Sequence, residues 1–203
     1  MPIKIQATSV ISKKLGPFNT PEKIQDFINK LPFNHEKEGE TYRSVEQTLT
    51  SGRAHCFEGA LVAAASLLIH GHKPLLMDIR TTNKDIDHVV ALFKIKNFWG
   101  AISKTNHAVL RYREPVYKSV RELAMSYFHE YFLPNGIKTM REFSKPFDLS
   151  KTKFDWLYGK ENLFGLIDEL DSSLHEKILP KNLKLRKADK IEIKAGEIIE
   201  WPK

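Results

Sequence analysis

The apolar positions of this 203-residue chain change their period along its length. The densest block covers residues 60–69, where Ser66 is the only polar residue. Good helix formers dominate it and no face is polar, which is the pattern of a helix buried all round. It falls short of the roughly 20 apolar residues that a bilayer span needs. Gly71 supplies a left-handed stop at its end. Upstream, Thr20-Pro21-Glu22 combines an N-cap, a proline at the first helical position and a first-turn acid. Ile24, Phe27, Ile28 and Leu31 fall on one face of the helix that begins there and ends before Pro32. Ser44-Val45-Glu46-Gln47 is a capping box that opens a short helix ending at Gly52.

Beyond Gly71 the pattern becomes that of strands. Residues 75–81, 89–95 and 98–103 read as an antiparallel sheet, the last two joined by a two-residue break at Lys96-Asn97. A helix with a sheet packed on it is the minimal two-layer core. The expected fold is therefore α+β: a buried central helix on a small antiparallel sheet, with extra helices around it. One of these starts at the capping box Ser119-Val120-Arg121-Glu122, carries Val120, Leu123, Ala124, Tyr127, Phe128 and Tyr131 at helical spacing, and ends at Pro134-Asn135-Gly136. Another begins near Leu163, with Asn162 as its cap and Phe164, Ile167, Leu170 and Leu174 on one face. Residues 105–115 follow neither period, and residues 141–156 are irregular and aromatic-rich.

The two ends are less patterned. Residues 1–19 read as a leading strand and loop anchored by Ile3, Ile5, Val10 and Ile11. Near the other end, Ile191-Glu192-Ile193, a Lys194-Ala195-Gly196 turn and Ile198-Ile199-Glu200-Trp201 read as a β-hairpin. The expected organisation is an α+β domain over 1–180, with a basic segment and hairpin over 181–203 packed on it.

Composition narrows the picture modestly. The length suits one domain, and 41% hydrophobic residues is ordinary for a globular protein. A single cysteine excludes an intrachain disulfide and fits a reducing compartment. With no apolar stretch of secretory type near Met1, a cytoplasmic, non-membrane protein is expected. The net charge of +7 is spread out, and its densest patch is Lys181, Lys184, Arg186, Lys187 and Lys190. Such a patch suits nucleic acid or another anionic surface. A solvated linker is the commoner origin, and no interleaved aromatic platform supports the sharper reading. Oligomeric state is not legible.

The candidate chemistry sits at the start of the buried helix. Cys56 occupies its first turn, where unpaired N–H groups and the helix dipole favour a thiolate. A lone cysteine is most often a small buried hydrophobe, so partners decide its role. His88 stands at the head of the second strand. His55-Cys56 and His70-x-His72 lack the spacing of a metal site, and neither a metal nor a cofactor is expected. Glu58 reads as a first-turn charge and Trp99 as packing. Asp85 and Asp87, next to His88 in sequence, receive no role.

A buried helix opened by Cys56, a strand opened by His88 and a hairpin partner ending at Ser103 together resemble the transglutaminase-like superfamily of papain-type thiol enzymes. The resemblance spans about residues 43–106 and implies a papain/transglutaminase-like core. Trp99 falls where that family often has a tryptophan before its acidic residue. Arg53-x-x-Cys56-Phe57-Glu58 is similar to the cysteine motif of arylamine N-acetyltransferases, which share this core. The resemblance implies a Cys56 nucleophile, a His88 proton carrier and a third residue that orients the imidazole. The family's acid position holds Ser103 here. Ser103 and Asn106, three residues on, are the two candidates for the orienting role. The implied activity is hydrolysis or acyl transfer on a peptide, amide or acyl substrate through a thioester, with the Cys56 backbone N–H as one oxyanion donor. The departure at Ser103 keeps a second expectation open, a binding protein built on the same fold without activity. The basic patch keeps a third, an anionic-surface binder.

Overall fold

A computed structural model describes residue 5 and residues 8–202. Four helices lead: α1 (Val10–Leu15), α2 (Pro21–Lys30), α3 (Val45–Ser51) and α4 (Cys56–Ile69). Strands β1 (Leu75–Arg80), β2 (His88–Ile95), β3 (Phe98–Ile102) and β4 (Arg113–Tyr117) follow, then α5 (Val120–Met125). The chain continues through β5 (Glu142–Ser144), β6 (Phe147–Asp148), α6 (Phe164–Asp171), β7 (His175–Lys177) and α7 (Lys190–Gly196). Single 3₁₀ turns cover Ala108–Leu110 and Phe128–Glu130. The fold is mixed, with helices set around an antiparallel sheet of order β4-β3-β2-β1-β5-β7, in which β6 also pairs with β1.

The sheet divides the core in two, and strand geometry dictates how. Successive side chains point to opposite faces. Val89, Ala91 and Phe93 join the cluster of α4, α2 and α3, while Val90 and Leu92 join Leu123, Tyr127, Phe128 and Met140 on the other side. A strand covered on both faces has no polar side to show, hence the unbroken apolar run of β2. Helix α4 is buried from Phe57 to Leu67. Gly71, at φ +85, turns the chain away after it, as its position predicts.

Two devices bring the functional ends together. The first is the β2–β3 turn, where Lys96 and Asn97 both take positive φ, 47° and 69°. That is the requirement of a two-residue type I′ hairpin. It sets the register Ile95 to Phe98 through Ala91 to Ile102, so the chain leaving β3 returns beside His88. The second is the close approach of α4 to the end of β3. A Cβ built on Gly59 would lie 2.2 Å from the Cβ of Lys104. Only glycine lets the helix sit this near.

Several elements differ from the sequence reading. Residues 10–15 form a helix instead of a strand, because Ser9 caps it by accepting from the Ser12 N–H at 3.1 Å. Ile3 lies outside the described residues. The aromatic helix after Ser119 is α5 alone, and Phe128 sits on a separate 3₁₀ turn. Helix α6 ends at Asp171, leaving Leu174 63% exposed, and Asn162 accepts from the Tyr42 N–H instead of capping α6. The expected C-terminal hairpin is absent. Asp189 caps α7 by accepting from the N–H groups of Ile191 and Glu192, both at 3.0 Å, and the Glu192 carboxylate caps Asp189 in return. This reciprocal box outweighs the strand preference of Ile191 and Ile193. The extended stretch after it pairs elsewhere.

The Gly59 contact yields a stability test. Gly59→Ala should destabilise the protein by about 1–3 kcal/mol, the cost of overpacking a tight core site, although alanine alone favours a helix. Chemical denaturation of the variant measures it. A neutral or stabilising result would mean that α4 and Lys104 separate freely.

Candidate active site

Cys56 is the first residue of α4, and the loop that delivers it is tied down from three sides. Ala54 bridges to Phe33 in parallel, donating to the Pro32 carbonyl at 3.1 Å and accepting from Asn34 N–H at 3.0 Å. The Glu58 carboxylate is fully buried. It accepts from the His55 N–H at 3.2 Å, Thr41 Oγ1 at 3.1 Å, the Arg43 N–H at 3.4 Å and Asn34 Nδ2 at 3.3 Å. The Arg43 guanidinium lies 3.4 Å from the same carboxylate. A buried charge needs this many partners to be tolerated.

Two imidazoles act on the ionisation of the Cys56 thiol, those of His55 and His88. His55 is buried, its Nε2 is 2.6 Å from the Thr41 carbonyl, and it therefore donates there. The carboxylates of Glu58 and Glu36 lie 3.7 and 3.8 Å from that nitrogen. Burial alone would lower the His55 pKa, but its hydrogen bond to the Cys56 sulfur and the nearby negative charges raise it to about 9. Burial alone would raise the Cys56 thiol, but the hydrogen bonds and charge of the two imidazoles bring it down to about 5. Both directions favour a thiolate beside an imidazolium.

Of the two residues proposed to orient His88, the structure brings one to it. Ser103 Oγ is 2.8 Å from His88 Nε2 and fully buried. Ser103 is itself clamped by Gln25 of α2. The Gln25 amide donates to the Ser103 carbonyl and accepts from its N–H, both at 2.9 Å. Asn106 is a correction. Its amide is spent on the backbone of Trp201, donating to the carbonyl at 2.8 Å and accepting from the N–H at 2.7 Å. Past the end of β3 the chain turns away, so Asn106 orients the segment after α7 and not His88. Asp87 accepts from the Thr81 N–H and hydroxyl, and Asp85 from the Ile86 N–H and the Thr139 hydroxyl. Trp99 lies near the far end of the hairpin, under the Lys94 ammonium at 4.3 Å.

Cys56 is partly exposed, and with His88 it lines a cleft of about 460 Å³. Apolar side chains dominate the walls, among them Phe33, Leu110, Tyr131, Phe132 and Ile193. His55 is not on the cleft wall, whereas His35 is, and its Nε2 is buried without a hydrogen-bond partner. Lys104, 1% exposed, also borders the cleft; it donates to the Leu31 carbonyl, and burial lowers its pKa to about 8. Lys181, Arg186 and Lys187 of the basic patch line a different surface cavity that shares no residue with this cleft. Among the described residues no three His, Cys, Asp or Glu side chains converge as a cation site. None of the described helices is long and apolar enough to cross a membrane. No protein-family model matches the chain, and no curated protein sequence does.

The sequence reading missed His55, Gln25 and the hub role of Glu58. His55 was visible only as a neighbour of the cysteine. Gln25 lies 78 positions from its partner, on an amphipathic helix whose polar residues gave no reason to single it out. Glu58 fits a capping pattern with His55, a residue outside the usual cap types.

The rate of Cys56 alkylation by iodoacetamide should follow a midpoint near pH 5, and His55→Gln should move that midpoint upward. The folded thiol titrates below its unfolded value, so its stabilising contribution is lost as pH falls through about 5. His55 titrates above its unfolded value, so its contribution is lost as pH rises through about 9. The thermal midpoint of wild type relative to Cys56→Ser should therefore be most favourable between those limits. A flat difference from pH 4 to 10 would remove the ion pair.

Proposed function

We propose that the protein is a thiol enzyme with a transglutaminase-like core that acts on an amide or other acyl group. The observation that carries this reading is Cys56 at the start of α4, lining one cleft with a His88 whose ring Ser103 orients, and the neighbouring imidazoles favour its thiolate. The two imidazoles differ in what they reach. His55, off the cleft and pinned to Thr41, keeps its proton and supplies charge. His88, on the cleft and oriented by Ser103, moves the proton.

The reaction runs in two halves. The Cys56 thiolate attacks the substrate carbonyl, forming a C–S bond, while the Cys56 backbone N–H at the helix start stabilises the oxyanion. The C–N or C–O bond breaks, and His88 gives its proton to the departing amine or alcohol. Water or another acceptor then attacks the thioester, His88 takes its proton, and the thiolate returns. Ser103 replaces the charged partner that such sites often use. A neutral hydrogen bond holds the ring but stabilises an imidazolium less than a carboxylate does.

Turnover of an activated ester or anilide should disappear in Cys56→Ala and fall about 10²–10⁴-fold in His88→Ala. Ser103→Ala should cost about 0.5–1.5 kcal/mol, roughly two- to twelve-fold, because one neutral hydrogen bond is lost. Ser103→Asp should raise turnover. If alkylation of Cys56 proves as fast in His88→Ala and His55→Gln as in wild type, no working thiolate pair exists, and a binding protein of the same architecture replaces the enzyme.

A further inference from the structure

The stretch following α7 pairs through an antiparallel β-bridge with residues 106–108, which border the cysteine cleft. Glu200 N–H donates to the Asn106 carbonyl and Ala108 N–H to the Ile198 carbonyl, both at 3.0 Å, with Ile199 antiparallel to His107. Asn106 grips the Trp201 backbone at both its polar atoms, and His107 Nδ1 lies 2.9 Å from the Gly196 carbonyl. Two side chains of this stretch are read individually. The Glu200 carboxylate is 2.5 Å from Arg111, and the Trp201 ring lies under the Lys104 ammonium at 5.9 Å. By contrast Ile198 and Ile199 are 58% and 44% exposed, so they contribute little side-chain recognition. Gly196 and Glu197 line the same cleft as Cys56.

These contacts belong to a recognised mode of peptide binding, in which main-chain hydrogen bonds hold an extended segment and separate sites select its side chains. Residues 106–108, in the segment between β3 and β4, offer the Asn106 carbonyl and the Ala108 N–H, and residues 198–200 satisfy both. We propose that this rim is the binding groove for an extended peptide carrying an acidic residue followed by an aromatic one, and that residues 197–202 occupy it as an internal competitor. The groove specifies three features: a carboxylate for Arg111, an aromatic face for Lys104, and a main-chain amide pair for Asn106. Gly196 and Glu197 line the cleft that Cys56 and His88 line, so the proposal names a substrate class for the thiol site and rests on that reading.

An attached competitor acts at an effective concentration on the order of millimolar, which masks the groove from peptides in solution. The test uses the full chain in a Cys56→Ser background and a fluorescein-labelled peptide, Glu-Ile-Ile-Glu-Trp-Pro, copied from residues 197–202. Fluorescence polarisation should show binding at least about ten-fold tighter to Trp201→Ala or Glu200→Lys, which loosen the resident segment, than to the parent. Adding Arg111→Glu, or replacing the second glutamate of the peptide with lysine, should weaken that binding by about ten-fold or more. In chains that retain Cys56, the same loosening should speed alkylation by a bulky maleimide more than by iodoacetamide. Equal affinity in parent and loosened variants, or no binding to either loosened variant, overturns the groove. Peptide binding with an unreactive Cys56 retains the groove and overturns the thiol enzyme; a reactive Cys56 without peptide binding does the reverse.

Discussion

The structure around Cys56 depends on one buried carboxylate. Glu58 is shielded from water and must be satisfied by protein groups alone. It draws in the Asn34 amide, the Thr41 hydroxyl, the Arg43 main chain and guanidinium, and the His55 N–H. The loop over residues 34–43 thus wraps the helix start for electrostatic reasons. In wrapping, it brings the Thr41 carbonyl to His55 and fixes which ring nitrogen carries the proton that faces away from sulfur. An acid two residues away thus sets the surroundings of the sulfur through His55.

The opposite wall obeys a different constraint, that of strand register. A two-residue turn leaves no freedom in how β2 and β3 pair. His88 and Ser103 meet because they flank the same end of one hairpin. Gln25 then does for Ser103 what a further strand would do, closing both main-chain groups of a residue that has just left the sheet. A polar side chain on α2 is thereby an extension of the sheet's hydrogen bonding.

What was legible in the sequence follows from this division. The buried helix, the three central strands, the turn and the placement of Cys56 and His88 are local patterns of period and punctuation, and they appear where those patterns put them. Ser103 was reachable too, because strand ends in a tight hairpin can be counted. The roles of His55, Glu58 and Gln25 were not, since each depends on contacts between segments far apart in sequence. Asn106 shows the converse. Its chemistry suits an orienting amide, yet its place beyond the strand end gives it to Trp201. The stretch 190–201 was misread because two alternating isoleucines outweighed an Asp189-x-x-Glu192 cap that was equally visible.

The separation of these contacts along the chain also orders their formation. His88 and Ser103 are 15 positions apart across a hairpin, a contact with little loop entropy to overcome. The Gln25 clamp on Ser103 spans 78 positions and needs α2 already seated against α4 and β3. During folding the imidazole can therefore acquire its serine before the serine is locked. Cys56, His55 and His88 sit on a helix start, its preceding loop and a strand, so their arrangement is complete only once α4, that loop and the hairpin have docked.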